Sequence, residues 1–473
     1  MMESHDIIAA PATATGGALS VIRVSGAGSI ACCDRVFRGR RTLAEAAPNT
    51  VHYGEIVDGG RVVDDVLVTV FRAPHSYTGE ESAEISVHGS RYIVSEVLRL
   101  LQAGGARMAS AGEFTMRAFL AGKMDLVRAE AVADMIASDS RAAHALASTQ
   151  MKGGYSQSLG ALRRRLLDAV SLLELELDFS EEDVEFADRR QLDEMLGQIL
   201  NEVRRLTDSF RTGNAIKEGV AVAIVGRPNA GKSTLLNTLV GDERAITSDI
   251  AGTTRDTVEV SCDVDGVRFR FIDTAGLRAT GDEIERMGIE RTHKAITGAH
   301  IVVLVTERGE VPEHVDVSQG QTLITVENKS DLHAADGYAA ADGYAAADGY
   351  AAADDYAAAE GYAAADGREN GVLRISAKTG EGIDLLRSML RDAVDTRGVF
   401  AGETVVANAR HCDALHRAAS ALERAVNALR CGFSGELLSE ELRDVLNALG
   451  EITGEVTSDD ILQNIFSKFC IGK

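Results

Sequence analysis

The hydrophobic and polar positions of the first 117 residues form short patterns that predict strands mixed with helices. The Val- and Ile-rich stretches "GALSVIRVSG" and "VVDDVLVTVFRA" are typical of strands. The stretch "YIVSEVLRLLQAGG" is typical of a helix, and Gly104 and Gly105 stand where such a helix would end. We therefore expect an α+β domain over residues 1–117.

Two later regions follow the helical repeat, and a third pattern separates them. From Phe119 to about Thr212, stretches such as "LGALRRRLLDAVSLLELELDF" place Leu and Val at spacings of three and four, which makes one face apolar. From about Arg410, "CDALHRAASALERAVNALR" and "ELLSEELRDVLNAL" are again typical of helices. Between them strands and helices alternate, as they do in parallel sheets with helices on both faces. We predict a helical domain, split into residues 118–216 and 396–473 by an inserted α/β domain over residues 217–395.

Length and composition are those of a multidomain globular protein in the cytoplasm. The 473 residues are too many for one core, so about three domains are expected. No run of about 18 apolar residues occurs, which argues against a membrane span. The start "MMESHDIIAAPATATGG" lacks the features of a signal or transit peptide. The six cysteines show no metal-binding spacing, so we expect reduced thiols.

The charge balance limits how this chain could contact RNA. With 49 basic and 72 acidic residues the net charge is −23, so RNA binding would need a local basic patch or a partner subunit. The cluster Arg163 to Arg165 is interpreted as a solvated helix face rather than such a patch.

One segment has a composition of its own. Residues 334–367 repeat "AAADGY" with small variations and lack the Val, Ile or Leu that a core needs. A period of six spreads the tyrosines around a helix, and frequent Gly weakens that helix further. We predict a disordered tandem-repeat insert within the α/β domain.

The stretch "GRPNAGKS", from Gly226 to Ser233, matches the phosphate-binding pattern G-x-x-x-x-G-K-[ST]. A predicted strand, "VAVAIVG", precedes it and a predicted helix, "STLLNTLVG", follows it. In this context Gly226 and Gly231 let backbone N–H groups curve around phosphate oxygens. Lys232 would reach the β- and γ-phosphates, and the Ser233 hydroxyl would ligate Mg²⁺.

Four further motifs point to GTP rather than ATP. They are "AGTTRD" from Ala251, "DTAG" from Asp273 to Gly276, "NKSD" from Asn328 to Asp331, and "SAK" from Ser376 to Lys378. Asp331 can accept from two guanine N–H donors that adenine lacks. The threonines of "AGTTRD" can complete Mg²⁺ coordination when the γ-phosphate is present. All five motifs in this order resemble a Ras-like GTPase domain.

The residue after "DTAG" departs from the Ras pattern. Leu277 stands where Ras-type proteins carry the glutamine that orients the attacking water, and leucine cannot make that hydrogen bond. Either hydrolysis is slow or other groups supply the missing roles. Glu285 lies close downstream, and from the residues alone it is equally a water-polarising group or a solvated carboxylate.

Together with "GEFTMRAFLAGKMDLVRAEAVADMI" and the terminal "FCIGK", these motifs resemble the MnmE (TrmE) family of tRNA-modification GTPases over nearly the whole chain. The resemblance implies a folate-binding, dimerising N-terminal α+β domain, a split helical domain and an inserted Ras-like P-loop GTPase domain. It implies a homodimer that forms a heterotetramer with a flavin-dependent partner of the MnmG type. Such an assembly adds an aminomethyl-type group to C5 of the wobble uridine of certain tRNAs, with a one-carbon unit from a tetrahydrofolate derivative in its 5-formyl or methylene form.

The resemblance also implies a potassium-dependent GTPase. Asn229 and the carbonyls of Ser248, Ile250 and Thr253 would bind K⁺, while Thr254 would join Ser233 on Mg²⁺. The positive ion beside the phosphates would replace an arginine finger. Glu285, Lys232 and Thr254 would be catalytic, with Glu285 orienting water. The residues expected at the nucleotide are Asn229, Ala230, Gly231, Lys232, Ser233, Thr234, Ser248, Asp249, Ile250, Ala251, Gly252, Thr253, Thr254, Asp273, Thr274, Ala275, Gly276, Asn328, Lys329, Asp331, Ser376, Ala377 and Lys378.

For the folate, the positions that match the family are Arg23, Glu84, Lys123 and the terminal Lys473. A carboxylate can hold the amino and ring N–H groups of a pterin, and cations suit its carboxylated tail.

The terminal "FCIGK" leaves a choice for Cys470. It does not fit a prenylation box, because Gly472 and Lys473 depart from the usual pattern. Cys470 either reacts, as a thiol that Lys473 activates, or only packs.

A regulatory or ribosome-assembly switch is the competing hypothesis for the whole chain. Such a switch needs neither folate residues nor the "FCIGK" tail, and an assembly factor would be expected to carry a basic RNA-binding module.

Overall fold

A computed structural model describes residues 6–178, 189–241, 260–272, 293–310, 315–318, 320–333, 368–369 and 371–472. The predicted repeat insert at 334–367 lies outside these residues. The chain divides into two compact units. Unit 1 comprises Met1–Ala137, Ala147–Asp208 and Arg410–Lys473, and unit 2 comprises Ser138–Leu146 and Ser209–Ala409.

The N-terminal part of unit 1 is a seven-stranded sheet. Its strand order is β3-β4-β5-β6-β2-β1-β7, antiparallel except that β1 and β7 are parallel. The strands are β1 Ile7–Pro11, β2 Leu19–Ser25, β3 Phe37–Gly39, β4 Thr50–Asp58, β5 Arg61–Phe71, β6 Ser82–His88 and β7 Ala106–Met108. The strands predicted from "GALSVIRVSG" and "VVDDVLVTVFRA" are β2 and β5, so both predictions are confirmed.

The two faces of this sheet differ because side chains alternate along each strand. On one face Ile22, Val68 and Ile85 are fully buried in a core shared with the helices Ser29–Asp34 and Arg91–Ala103. The second of these helices ends as predicted, since Gly104 caps it and Gly105 follows with φ +103°. The other face carries the polar pair Arg23 and Glu84 together with exposed apolar side chains.

The remaining helices of the N-terminal and helical parts of the chain have apolar faces, and among them Gly154–Asp178 and Gly435–Thr453 pack on each other. Long helices pack here because each leaves a stripe of Leu, Val and Ala to bury. They are Glu113–Leu120, Leu126–Ala137, Arg141–Met151, Gly154–Asp178, Arg189–Glu218, Ala409–Arg430, Gly435–Thr453 and Asp459–Phe466.

The basic cluster on the helix Gly154–Asp178 is only partly the solvated face that we predicted. Arg164 is exposed, but the side chain of Arg163 is 13% exposed and pairs with Glu455. Arg165 donates to Gln198 Oε1 at 2.9 Å. The prediction was wrong for Arg163, because the periodic pattern does not reveal the segment near Glu455 that packs beside it.

Unit 2 contains a second seven-stranded sheet, in the order β13-β14-β12-β11-β8-β10-β9. Strands β10, β8, β11, β12 and β14 are parallel, and β9 and β13 are antiparallel additions at the two edges. The strands are β8 Val220–Val225, β9 Val260–Val264, β10 Val267–Phe271, β11 Ile301–Glu307, β12 Thr322–Asn328, β13 Arg368–Glu369 and β14 Val372–Arg374.

Helices of this unit cover the sheet. They are Lys232–Gly241, Ile383–Asp392 and Arg397–Ala401, with residues 293–298 also helical. The near-continuous apolar runs of β8 and β11 are buried on both faces, which is typical of a parallel sheet. The predicted multidomain fold, with α+β, helical and α/β parts, is confirmed. None of the helices in the described part of the chain is both long and apolar enough to cross a bilayer.

Candidate functional site

The predicted nucleotide motifs follow the carboxyl ends of parallel strands in unit 2. "GRPNAGKS" follows β8, "NKSD" begins at the last residue of β12, and "SAK" follows β14. Strand β8 lies in the interior of the sheet, between β10 and β11. Ligands of open α/β sheets bind outside the carboxyl ends of the strands. The topology therefore brings three motifs, spread over about 150 residues of chain, to one edge.

The backbone of the phosphate-binding loop requires glycine at two positions. Gly226 has φ +141°, and a Cβ there would lie 2.1 Å from the carbonyl oxygen of Val305. Gly231 has φ +92°, and its Cβ would lie 2.2 Å from Asn328 Nδ2. Asn229 also has a positive φ, +67°, which asparagine tolerates better than most residues. The loop thus bends where the motif predicts, just before the helix Lys232–Gly241.

The ammonium group of Lys232 lies against the carbonyl oxygens of the phosphate-binding loop. Its Nζ donates to the carbonyl oxygens of Gly226 and Arg227, both at 2.7 Å. Burial lowers the pKa of Lys232, because desolvation disfavours the charged form. An ammonium group held by two neutral carbonyls is ready to exchange them for phosphate oxygens, which offer a full negative charge.

Asn328 joins the three loops. It is 3% exposed, its Nδ2 donates to Ala230 O at 2.9 Å, and its Oδ1 accepts from the Ala377 N–H at 2.9 Å. One amide side chain therefore ties the phosphate loop to the "SAK" loop. The motif predicted Asn328 as a nucleotide residue, and the structure adds this bridging role.

The base-recognition residues are joined by a second set of bonds. Ser376 Oγ donates to Asp331 Oδ1 at 2.7 Å, so the carboxylate predicted to read guanine is held in place. Thr238 Oγ1, on the helix after the phosphate loop, donates to Ala377 O at 2.6 Å. Lys329, with φ +67°, pairs with Glu307 at the end of β11. Thr238 and Glu307 were not predicted from the sequence, since neither belongs to a local motif.

The structure thus brings together the predicted nucleotide residues Asn229, Ala230, Gly231, Lys232, Ser233, Thr234, Asn328, Lys329, Asp331, Ser376, Ala377 and Lys378 on adjoining loops. The other predicted residues lie outside the described residues: Ser248, Asp249, Ile250, Ala251, Gly252, Thr253, Thr254, Asp273, Thr274, Ala275, Gly276, Glu285 and Lys473. Within the described ranges, no group of three or more His, Cys, Asp or Glu side chains is placed to hold a metal ion.

A second polar site lies on the sheet of unit 1. Arg23 on β2 stands directly opposite Glu84 on β6, and its Nε and Nη2 approach Glu84 Oε1 at 3.0 and 2.8 Å. Arg23 Nη1 lies 3.5 Å from the carbonyl oxygen of Gly472, near the end of the chain. Two predicted folate residues are therefore in contact, and the tail reaches them.

Two aromatic rings border this pair. The guanidinium carbon of Arg23 lies 4.9 Å from the centroid of the Tyr77 ring and 5.7 Å from that of Phe114. The Tyr77 hydroxyl and Thr115 Oγ1 are 2.8 Å apart. These residues were not predicted from the sequence, because single aromatic residues in a loop and at a helix start carry no spacing signal.

Lys123 lies beside the loop that carries Tyr77. Its Nζ donates to the carbonyl oxygen of Pro74 at 2.9 Å, and its side chain borders Gly79. The structure thus places Lys123 next to the 74–79 segment, whereas Arg23 and Glu84 lie on the strands.

The tail docks on unit 1 through backbone contacts and buried phenylalanines. Ile471 forms an antiparallel bridge with Ala111, and the Gly112 N–H donates to Cys470 O at 3.4 Å. Phe466 and Phe469 are buried against the helix Leu126–Ala137. Cys470 itself is exposed and unpaired with another cysteine, so the packing of the tail rests on its neighbours.

Comparisons with known proteins cover the whole chain. The MnmE helical domain family matches residues 126–470, and the family described as GTP-binding protein TrmE N-terminus matches residues 7–123. The tRNA modification GTPase MnmE of Bacteroides thetaiotaomicron is 45% identical over 481 residues, which cover 99% of this chain and 100% of that protein. This chain belongs to the MnmE (TrmE) family.

A second relative gives the same result. The tRNA modification GTPase MnmE of Christiangramia forsetii is 44% identical over 475 residues, and each protein is covered over its full length. The family predicted from the motifs is therefore confirmed, and it accounts for both units of the MnmE-family chain.

Proposed function

We propose that this chain hydrolyses GTP with the help of K⁺ and, with a flavin-containing partner, adds an aminomethyl-type group to C5 of the wobble uridine of certain tRNAs. Membership of the family confirms the prediction that the chain is a GTPase. The potassium dependence, the partner and the folate-derived group are parts of the proposal. Its localisation in the cytoplasm is also part of the proposal.

One observation carries the GTPase half of the proposal. Asn328 holds the phosphate loop and the "SAK" loop on either side of the position where a guanine nucleotide would lie. Asp331, whose Oδ1 accepts from Ser376 Oγ, would accept from the guanine base. Lys232 is the cation that the β- and γ-phosphates would recruit.

The ion sites belong to the same loop. Ser233 directly follows Lys232 at the start of a helix, which fits a hydroxyl ligand for Mg²⁺. Asn229, at the bend with positive φ, fits the proposed K⁺ site beside the phosphates. When bound, these ions would offset the charge that develops on the phosphates during hydrolysis. The other proposed ligands, Thr254 for Mg²⁺ and Ser248, Ile250 and Thr253 for K⁺, and the proposed water-orienting Glu285, lie outside the described residues.

The one-carbon half of the proposal rests on the polar site of unit 1. A carboxylate whose Oε1 pairs with Arg23 leaves Glu84 Oε2 to accept from the amino and ring N–H groups of a pterin. Lys123 supplies a cation near the adjoining loop, and Lys473 would follow Gly472 at the end of the tail. We infer a tetrahydrofolate derivative as the ligand, in the 5-formyl or methylene form.

The open face of the same sheet supports the proposed homodimer. Tyr53 is 67% exposed on β4, and Leu67, its cross-strand neighbour on β5, is 47% exposed. Val51 and Leu19 are exposed as well. A row of exposed apolar side chains on one sheet face is typical of a protein interface. A second copy of the chain would cover these residues next to Arg23 and Glu84, and a flavin-dependent partner of the MnmG type would complete the heterotetramer.

The test of this function compares GTP turnover in potassium and sodium at equal ionic strength. We expect turnover to rise at least about tenfold in potassium, because a positive charge beside the phosphates is worth several kcal/mol in the transition state. Equal rates in the two salts would reject the potassium mechanism. A second arm measures wobble uridines by mass spectrometry in cells that lack the chain, where unchanged nucleosides would reject the tRNA role.

The competing function is a regulatory or ribosome-assembly switch without modification activity. The contact between the tail and Arg23 favours the enzyme, since a switch has no need of a polar site on the sheet of unit 1. Cells that lack the chain should lose the modified wobble uridines if the chain is the enzyme, and should keep them if it is only a switch.

A further inference from the structure

We propose that Tyr77, held by Thr115, is a positioning residue that sets the orientation of Arg23 in the proposed folate site. The inference rests on the proposed folate function of that site. It assigns a role to an aromatic residue that none of the motifs above includes.

The Arg23 guanidinium has one edge engaged and one edge directed toward the tail. Nε and Nη2 approach Glu84 Oε1, and Nη1 lies 3.5 Å from Gly472 O. With only these contacts the planar group could still tilt about its long side chain, because the bond to Gly472 is long. Something else must hold the plane.

Tyr77 supplies that contact. Its ring centroid lies 4.9 Å from the guanidinium carbon, within the range in which an arginine is attracted to the face of an aromatic ring. The Phe114 ring lies within 5.7 Å of the same carbon. The Arg23 side chain is 13% exposed, so solvent weakens these contacts little.

Thr115 in turn holds Tyr77. The two hydroxyls are 2.8 Å apart, and Thr115 is fully buried on the helix Glu113–Leu120. That helix is anchored by Arg117, which is 4% exposed and pairs with Asp6 at 2.7 Å and with Glu80 at 3.3 Å, both outside the helix. Tyr77 itself lies on a loop, so without Thr115 its ring would be free to move with the loop. The chain of contacts runs from a rigid helix through Tyr77 to Arg23.

The consequence is a guanidinium whose orientation is set before the ligand arrives. A preoriented donor loses less conformational freedom on binding, so the ligand binds more tightly than it would to a mobile arginine. The role of Tyr77 is therefore in affinity for the folate derivative, and GTP hydrolysis in unit 2 should not depend on it.

The experiment measures binding of 5-formyltetrahydrofolate to the full-length protein by calorimetry. We expect Tyr77→Leu to weaken binding at least about tenfold, because it removes the ring contact. Tyr77→Phe keeps the ring and loses only the hydroxyl bond, so it should cost about fivefold. Thr115→Val should weaken binding by the same factor as Tyr77→Phe. The double variant Tyr77→Phe/Thr115→Val should bind like either of these single variants, since each removes the same hydroxyl bond.

Controls separate this role from a general loss of structure. Tyr92→Leu removes another tyrosine, 60% exposed on the helix Arg91–Ala103, and should leave binding unchanged. The circular dichroism spectrum of Tyr77→Phe should match that of the wild-type chain. If the wild-type chain binds the folate derivative and Tyr77→Leu binds it equally well, the positioning role is wrong. If the wild-type chain does not bind it, the proposed folate function fails instead. Additive losses in the double variant would also contradict the shared hydroxyl bond.

Discussion

The two units hold their polar sites together in different ways. In unit 2 the phosphate loop and its helix are joined to the "SAK" loop by neutral bonds from Asn328 and Thr238, although Ser376 donates to the Asp331 carboxylate and Lys329 pairs with Glu307. In unit 1 the corresponding ties are charged pairs between distant segments, such as Arg23 with Glu84 and Arg410 with Glu130. The neutral bonds bring no charge to the phosphate loop. Lys232, whose Nζ contacts two carbonyl oxygens of that loop, would meet the negative charge of the incoming phosphates. Charged ties make the stability of unit 1 depend on pH.

In unit 1, Glu130 forms ion pairs with two neighbouring side chains, Arg410 and His411. Arg410 approaches both carboxylate oxygens at 3.0 and 3.1 Å, and His411 Nε2 lies 2.6 Å from Oε2. Arg410 also donates to the carbonyl oxygens of Glu451 and Ile452, at the end of the helix Gly435–Thr453. Burial raises the pKa of Glu130, but His411 and Arg410 outweigh it and lower the pKa to about 2.

The largest expected effect breaks the backbone geometry of unit 2. Gly231→Ala places a Cβ 2.2 Å from Asn328 Nδ2 at a φ that alanine adopts only with strain. The variant should lose about 3 kcal/mol of nucleotide binding, about a hundredfold, because strain and the displaced amide add. Binding of a fluorescent GDP analogue measures this loss. Gly241→Ala, where a Cβ would meet nothing within 4 Å, is the matched control and should bind normally.

The next effect tests whether a charged tie supports unit 1. Glu130→Gln leaves the partly buried Arg410 and the buried His411 without their carboxylate, so it should lower the free energy of unfolding by about 3 kcal/mol at pH 7. The folded pKa is below the ordinary value, so this stabilisation is present above about pH 4.5 and is lost as the pH falls toward 2. Urea unfolding at several pH values measures the difference between wild type and variant, which should shrink in acid.

Glu440→Gln, an exposed carboxylate on the helix Gly435–Thr453, is the control and should change stability little at any pH. A difference between wild type and Glu130→Gln that stays constant from pH 7 to pH 3 would contradict the charged tie.

The smallest effect sharpens the description of unit 2. Thr238→Val removes the bond to Ala377 O, together with the contact to Thr234 O in its own helix, and keeps the shape of the side chain. Guanine nucleotide affinity should fall about fivefold, which corresponds to the net value of about 1 kcal/mol for one hydrogen bond. Thr297→Val is the control, because Thr297 makes the same kind of bond to its own helix, at His293 O, away from the loops. Equal affinities of the two variants would mean that Thr238 does not position the "SAK" loop.

Local chemistry made much of the fold predictable. Strands β2, β5 and β8 were predicted from runs of Val, Ile and Leu, and the bend at Gly226 from its motif. The solvated environment predicted for Arg163 was wrong, since its partner Glu455 lies almost 300 residues away in the chain. Interactions of that range leave no trace in a local pattern.

The residues of the candidate sites also differ in whether they could be predicted from a local pattern. The nucleotide residues could be predicted because each phosphate or base contact uses a short stretch of consecutive residues. Thr238 and Ala377, 139 residues apart, could not be paired from the sequence. The unit 1 site was predicted only by resemblance to a family, and its aromatic neighbours Tyr77 and Phe114 were missed.

By itself, the sequence determined the order of the elements, the loop that cradles phosphates and the family to which the chain belongs. These depend on residue type and spacing along a few turns of chain, and backbone sterics and hydrogen bonding act at that range. Only the tertiary structure decided that Asn328 joins the loops, that Tyr77 contacts Arg23, and that Gly472 in the "FCIGK" tail approaches the same arginine. Those contacts arise from packing between segments far apart in the chain, where burial and shape select the partners.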